Sequence, residues 1–304
     1  MLEVAIMVEG QNGLIWSRWQ KMARTVEELG FVGLYRSDHF TNTNPPDKES
    51  LELWVSLTWL ASNTSHIEFG SLVSPVSFRH PALTARMASA VDDLSRGRLT
   101  LGLGAGWQEH EHHAFGFDLL DMQSRFDRFE EGLQVITTLL KSDQAVTFNG
   151  KYFQLNDAIL LPRPQRPGGP RILIGGIGVH RTLPLVARYA DEWNAMFLTP
   201  QQFEEKNRRL DELLAGENRT PESVRRSMMT GLRFGRTQAE LDEKLSARKQ
   251  TVEQARGAGL IVGVGNEIVG QLLELEKVGV QRIMLQWLDL DDLDGLAALA
   301  KALE

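Results

Sequence analysis

The sequence contains no cysteine. Disulfide frameworks, cysteine-ligated zinc and thiol nucleophiles are therefore excluded. Positive charge is not in excess either: 33 Lys and Arg against 40 Asp and Glu leave a net charge of -7, which tells against a nucleic-acid or anionic-membrane surface. No apolar run approaches the roughly 20 residues that a membrane span needs. The start, Met1-Leu2-Glu3-Val4, lacks the basic region and cleavage site of a signal peptide. Together with the missing cysteines this leads to the expectation of a cytoplasmic chain. Exact internal repeats and low-complexity segments are also missing. No G-x-G-x-x-G follows the first apolar run, as a dinucleotide fold would require. That run has no His-x-His, which counts against a metal-dependent barrel hydrolase.

What remains is an ordinary globular composition, 304 residues with 42% hydrophobic, enough to bury a full core. Its organisation is strand then helix, repeatedly. "EVAIMV", "FVGLYRSDHF", "HIEFGSLVS" and "GRLTLGLGAG" read as the first four strands, and "RILIGG", "DEWNAMFL", Arg225 to Phe234 and "VQRIMLQWL" as the next four. They are short apolar runs of the kind buried on both faces of a parallel sheet. Helical spacing fills the intervals, for example Trp19, Met22, Ala23, Val26 and Leu29 before a Gly30 C-cap. Eight such units predict an α/β fold, a closed (β/α)8 TIM barrel, as one domain over 1–304; an open doubly wound sheet is the alternative. Two stretches exceed the plain barrel. Residues 142–170 carry a hairpin signal at Asn149-Gly150, expected to be a two-residue turn, and then a Pro-rich connector. Residues 257–265, "GAGLIVGVG", are expected to be a mobile or ligand-facing loop, and Gln238 to Arg256 one helix.

In such barrels chemistry sits at the C-terminal ends of the strands. Read in order, those ends are Glu9-Gly10-Gln11, Arg36-Ser37-Asp38-His39, Ser71-Leu72-Val73-Ser74, Ala105-Gly106-Trp107, Gly175-Gly176-Ile177-Gly178, Met196-Phe197 and Gln286-Trp287. Polar, glycine-rich and aromatic residues gather at one rim. Taken singly each has a bland reading: Asp38 as a turn cap, His39 as a satisfied loop histidine, the glycines as a strand-to-helix turn. Together they describe a ligand site, with free N–H groups before the following helix as an anion cradle. The run Glu109-His110-Glu111-His112-His113 looks like a metal cluster but is not H-E-x-x-H, since Ala114 takes the second His position. It reads as a solvated helix start lending one or two side chains to a site, and no metal is expected.

Four ordered motifs carry a resemblance across nearly the whole chain: "LGFVGLYRSDHF", "SLVSPVSFRHPALTARMASAVDDLSRGRLTLGLGAGW", "RFDRFEEGLQVI" and "ILIGG...RTLPLVARYADEWN". The chain resembles the luciferase-like monooxygenase superfamily, and within it the branch that uses the deazaflavin coenzyme F420. The resemblance implies a deazaflavin ring near Asp38 and His39. It would be backed by a bulge at Ser71, Leu72, Val73 and Ser74 with a non-prolyl cis peptide at Ser71–Leu72 or within one residue of it. Ala105 and Gly106 would keep the fourth strand end small, and Gly175, Gly176, Ile177 and Gly178 would hold the cofactor phosphate through backbone N–H groups. Some deazaflavin dehydrogenases of the superfamily carry a Glu where Trp107 stands here, and Glu109 lies two residues on. This departure implies a more apolar substrate pocket, for which Glu9, Trp107, Glu109, His110 and Trp287 are the candidates.

The function so implied is hydride transfer between C5 of F420 and a small organic substrate, with His39 exchanging a proton and Asp38 beside it. The alternatives are an FMN-dependent monooxygenase using oxygen, and a non-catalytic flavin-binding protein of the same fold. A small molecule is the expected partner, with no nucleic acid and no membrane, and a homodimer is the assembly the reading allows for.

Overall fold

The structure is a computed structural model and describes residues 2–304. The apolar runs form β1 (Glu3–Val8), β2 (Gly33–Arg36), β3 (Glu68–Ser71), β4 (Leu99–Gly104), β5 (Arg171–Gly175), β6 (Glu192–Met196), β7 (Arg225–Phe234) and β8 (Arg282–Gln286). Each pairs in parallel with the next. β8 returns to β1 with Glu3 opposite Arg282 and Met7 opposite Gln286, so the sheet closes into a barrel. The open-sheet alternative is thereby removed.

Around the barrel lie α1 (Trp16–Glu28), α2 (Leu53–Asn63), α3 (Pro81–Leu94), α4 (Glu109–Phe115), α5 (Met122–Lys141), α6 (Thr182–Tyr189), α7 (Pro200–Gly216), α8 (Gln238–Ser246), α9 (Val252–Gly257), α10 (Asn266–Lys277) and α11 (Leu293–Ala302). Alternate strand residues point inward and outward. The outward set packs under the helices: Ile6, Val8, Leu34, Phe69, Leu101, Ile174, Trp193, Met228 and Ile283 are all buried with α1 Trp19 and α5 Phe129. The inward set forms layers. Charged residues close the N-terminal end, and Ala5, Met7, Tyr35, Leu173, Met229 and Met284 fill the middle with Leu72.

Three local expectations are corrected. The hairpin pairs Val146–Asn149 with Gln154–Ala158, but Asn149 faces Gln154, so the turn is Gly150 to Phe153 and longer than two residues. The cause is Glu131 of α5, whose carboxylate accepts from the N–H groups of Lys151, Tyr152 and Phe153 at 2.9, 2.7 and 3.2 Å. Residues 257–265 are not simply a loop: Ile261–Gly263 is a strand paired with Leu232 to Phe234. β7 outlasts its pairing with β6 and β8, and its last residues offer that edge. The helix expected over Gln238 to Arg256 is broken between α8 and α9, where Lys249 takes a φ of 52°.

Among the described residues no helix is long and apolar enough to cross a membrane. A cavity of about 980 Å³ opens at the N-terminal end of the barrel among Asp92, Arg96, Arg166 and Arg225. It is a polar gap under the Pro-rich connector, at the end opposite to that where barrels of this kind do chemistry.

Candidate active site

The third strand breaks where the rim begins. Leu72 N–H still donates to the Arg36 carbonyl at 2.7 Å, so the β2 ladder runs one residue past β3. Only then does the chain turn, and the non-prolyl cis peptide is Leu72–Val73, one residue later than Ser71–Leu72. The Val73 side chain folds back against the neighbouring strands. A Cβ on Gly104 would stand 2.7 Å from Val73 Cγ2, and one on Gly175 2.9 Å from Cγ1. These glycines make room for the bulge, and the bulge presents its surface to the mouth. Ser74 and Pro75 then rejoin β4.

Asp38 locks this bulge. Its carboxylate accepts from Ser74 Oγ at 2.6 Å and pairs with Arg79 at 2.5 Å. Arg79 in turn reaches Glu52 at 2.6 Å. Burial raises the Asp38 pKa, and the Arg79 charge opposes that rise without cancelling it. With 5% exposure and its oxygens taken, Asp38 does not face an open site. It braces the second and third strand ends through Ser74 and Arg79.

His39 points the other way, as extended-chain neighbours must. Its side chain is 20% exposed, and its Nδ1 lies 2.8 Å from Oε1 of Glu111, which is 1% exposed. The other Glu111 oxygen accepts from Phe40 N–H at 3.0 Å. The exposed Trp107 ring stands edge-on to the imidazole at 5.5 Å. Burial acts to lower the His39 pKa, but the hydrogen bond and charge of Glu111 outweigh it, so the net shift is upward.

Glu111 comes from α4. Gln108, Glu111, His112 and Phe115 share one face at i, i+3, i+4 and i+7. Gln108 donates to Thr41 Oγ1 at 3.0 Å, and His112 lies 2.8 Å from Ser77 Oγ. Phe40 stacks on Phe115 at 4.9 Å and meets Phe78 at 4.8 Å, which pins α4 over the β2 exit. Glu109 and His110 lie on the opposite, exposed face, His110 being 3.8 Å from Asp47. They are corrected as pocket candidates: the run turns Glu111 inward, and that residue escaped the sequence reading although the helical spacing marks it. The pair is testable. Glu111→Gln removes the charge that raises His39, so burial dominates and the imidazole should titrate at lower pH when followed by NMR; an unmoved titration overturns the coupling. A raised histidine pKa adds stability below its unfolded value and loses it as pH rises through the folded value. This contribution should therefore fade in wild type on that upward crossing.

On β1 and β8 the inward residues at the mouth are Glu9 and Gln286. The Glu9 carboxylate is held by Gln286 at 2.7 Å and Gln11 at 3.0 Å. Trp287 is 5% exposed and packs into the outer core, because parity sends it outward where Gln286 goes in. It still lines, with Gln286, a cavity beside the end of β7, so the two neighbours share that wall. Ala105 is half-buried beside Gly106, whose φ of 85° turns β4 towards Trp107.

The loop after β5 differs in one respect from expectation. Gly176 N–H is already spent on the Asn194 carbonyl at 2.9 Å. Trp193 Nε1 donates to the Gly176 carbonyl at 2.8 Å and fixes the turn. Gly178 accepts from Thr182 and Leu183 N–H at 2.9 and 3.0 Å, opening α6. Among the described residues the N–H groups of Ile177 and Gly178 have no acceptor, which leaves these two as the free donors of the loop. Among the described residues no group of three or more His, Cys, Asp or Glu is placed to hold a metal ion.

The chain is 34% identical over 154 residues to the F420-dependent glucose-6-phosphate dehydrogenase of Kineococcus radiotolerans, covering 50% of this chain and 45% of that one. It is 32% identical over 177 residues to the F420-dependent hydroxymycolic acid dehydrogenase of Mycobacterium tuberculosis, covering 57% and 47%. The chain thus spans under half the length of these curated relatives. Among solved structures, an F420-dependent secondary alcohol dehydrogenase in complex with an F420-acetone adduct superposes with a TM-score of 0.85 at 16% identity, over 100% of this chain and 99% of that one. The family model described as luciferase-like monooxygenase matches residues 6–267, and the chain belongs to that family.

Proposed function

We propose that this chain is an oxidoreductase that moves a hydride between coenzyme F420 and a small organic substrate. The observation that carries the reading is the disposition of His39: one-fifth exposed at the mouth, tuned by a buried carboxylate, and adjacent in the chain to Asp38, which holds the third-strand bulge through Ser74. The F420-dependent activities of the relatives support it.

The residues present fit a flat ring with a phosphate tail. The bulge at Leu72 and Val73 forms a wall with a glycine floor behind it. The free N–H groups of Ile177 and Gly178 and the start of α6 suit a phosphate. F420, when bound, supplies C5 as hydride donor or acceptor. The protein does the rest. His39 holds or releases the proton that accompanies transfer, and Glu111 fixes its orientation through Nδ1, leaving Nε2 for the substrate. Trp107 covers the imidazole and limits water at that edge.

Titration of purified protein with F420 and with FMN, read by absorbance and fluorescence, tests the reading. F420 should bind at least about tenfold more tightly, a difference of about 1.4 kcal/mol. Preference for FMN would instead support a monooxygenase, the reaction in the family's description. Binding of neither would remove both readings. Gly178→Asp places a Cβ 3.1 Å from Thr182 Oγ1, so its fold is checked by circular dichroism, and it sets a negative charge in the proposed phosphate cradle. Cofactor affinity should fall by about tenfold or more; unchanged affinity would move the phosphate elsewhere.

A further inference from the structure

The inward residues of β7 run Arg225, Ser227, Met229, Gly231 and Arg233, and Gly231 lies in register with Gln286 of β8. Arg233 is therefore the last inward side chain of β7, at the level of the mouth. Its Nη1 donates only to the Leu232 carbonyl, at 3.0 Å, and its Nε is buried with no partner. The other charges described around the mouth are answered: Glu9 by Gln286 and Gln11, Asp38 by Arg79, Glu111 by His39. Arg233 has no paired carboxylate among the described residues.

A cavity of about 160 Å³ opens beside it, lined also by Lys244, Arg248, Gln286, Asp289 and Asp292. The acids there are engaged. Asp292 caps Gly295 N–H at 2.8 Å and lies 3.9 Å from Lys244, and Asp289 accepts from Asp291 N–H at 3.3 Å. Lys244 is paired with Glu240 at 2.7 Å. Among the described residues the Arg248 guanidinium bonds to the Lys244 carbonyl alone, at 3.4 Å. Neither guanidinium forms an ion pair, among the described residues, with the two aspartates of this cavity, and the Asp289 partner is a backbone N–H. Burial, and secondarily the Arg248 charge, lower the Arg233 pKa. A half-buried cation beside a like charge is unfavourable until an anion joins it.

We propose that Arg233, with Arg248 on the same cavity, is the subsite for a carboxylate or phosphate group on the substrate. This rests on the reading of the mouth given above: with the ring on the β3 bulge and its phosphate at the β5 loop, the β7–β8 side is left to the substrate. A guanidinium fork matches either anion in a bidentate manner.

Two measurements test this. In the first, cofactor-free protein is titrated with sodium phosphate and, separately, with sodium succinate, against sodium chloride at matched ionic strength, and melting is followed. One of the two should stabilise wild type beyond chloride and should not do so for Arg233→Met; the more effective one identifies the group. If neither exceeds chloride, or if Arg233→Met responds like wild type, the subsite is overturned whatever cofactor the protein uses. In the second, F420-linked turnover is compared within substrate pairs that differ only by the anion, 4-hydroxypentanoate with 2-pentanol and glycerol 3-phosphate with glycerol. Wild type should favour the anionic member of one pair at least about tenfold in kcat/KM. Arg233→Met should erase that ratio, and Arg233→Lys, which keeps the charge, should restore part of it. Arg248→Gln lies on an exposed loop, so it keeps the test open if Arg233→Met does not fold, and it should reduce the ratio. A ratio unmoved by these changes, or weakened F420 binding with the ratio intact, would assign the cation to another role.

Discussion

His39→Ala should turn over at least about a hundredfold more slowly than wild type with F420, the usual cost of removing a general acid or base. It should also melt lower, since Glu111 is buried and the substitution leaves its Oε1 without a partner. An unsatisfied buried acceptor costs about 1–3 kcal/mol. Both effects follow from one contact, so they have to be separated. Turnover per folded molecule is the deciding quantity, measured well below the variant's melting temperature with the folded fraction checked by circular dichroism. A histidine that merely holds the loop would lower the melting temperature and leave turnover per folded molecule near wild type. That outcome would end the catalytic assignment. The pH profile adds a second discriminator. In wild type the rate limb set by His39 should lie above the ordinary histidine range, because Glu111 raises its pKa against the opposing effect of burial. In Glu111→Gln that limb should move to lower pH.

The barrel was legible because each of its strands is a short apolar run closed by a small or polar residue, and such runs need cover on both faces. The rim was legible for the same reason: the polar ends all fall at one end of a parallel sheet. Side-chain direction was harder to read. At the end of β8 the period of two sends Gln286 inward to hold Glu9, a contact that the large aromatic beside it hides. In α4 the charged run hides an amphipathic turn, so Glu109 and His110 drew attention that belonged to Glu111. Arg79, which braces Asp38, lies in a loop with no periodicity to mark it. The longer hairpin turn depends on Glu131, a contact made across the fold that local turn rules do not contain. The cis peptide falls within the expected range, at Leu72–Val73, because ladder pairing with Arg36 continues to Leu72.

Arg282→Met should destabilise the barrel by about 3–5 kcal/mol, the range for removing one partner of a buried ion pair. The strands start on charges: Glu3, Glu68, Arg171, Glu192, Arg225 and Arg282. Parity turns these side chains into the barrel, where they form its closing layer. Arg282 is 1% exposed; it pairs with Glu3 at 2.6 Å and Glu68 at 2.8 Å, and donates to Tyr35 Oη at 2.6 Å. Glu192 is fully buried at 4.0 Å from Arg282 and 3.8 Å from Arg225. Three arginines face three glutamates, so the formal charges balance, and removing Arg282 leaves the half-buried Glu3 and Glu68 and the fully buried Glu192 underpaired. Methionine fills most of the volume, so the loss is electrostatic more than a cavity effect. The surface pair Arg18–Asp291, with side chains 34% and 66% exposed, is the control, and Arg18→Met should cost under about 1 kcal/mol. The sign with pH is fixed by Glu68. Burial alone would raise its pKa, but Arg282 holds it below the usual value. Its contribution is present above the unfolded pKa and lost as pH falls through the folded one. The gap in denaturant midpoint between wild type and Arg282→Met should therefore narrow on acidification. Adding Glu68→Gln to Arg282→Met should recover part of the loss, because one uncompensated charge is removed. A single variant within the range of the surface control, or a gap that widens towards acid, would show that the layer is a solvated edge and not part of the core.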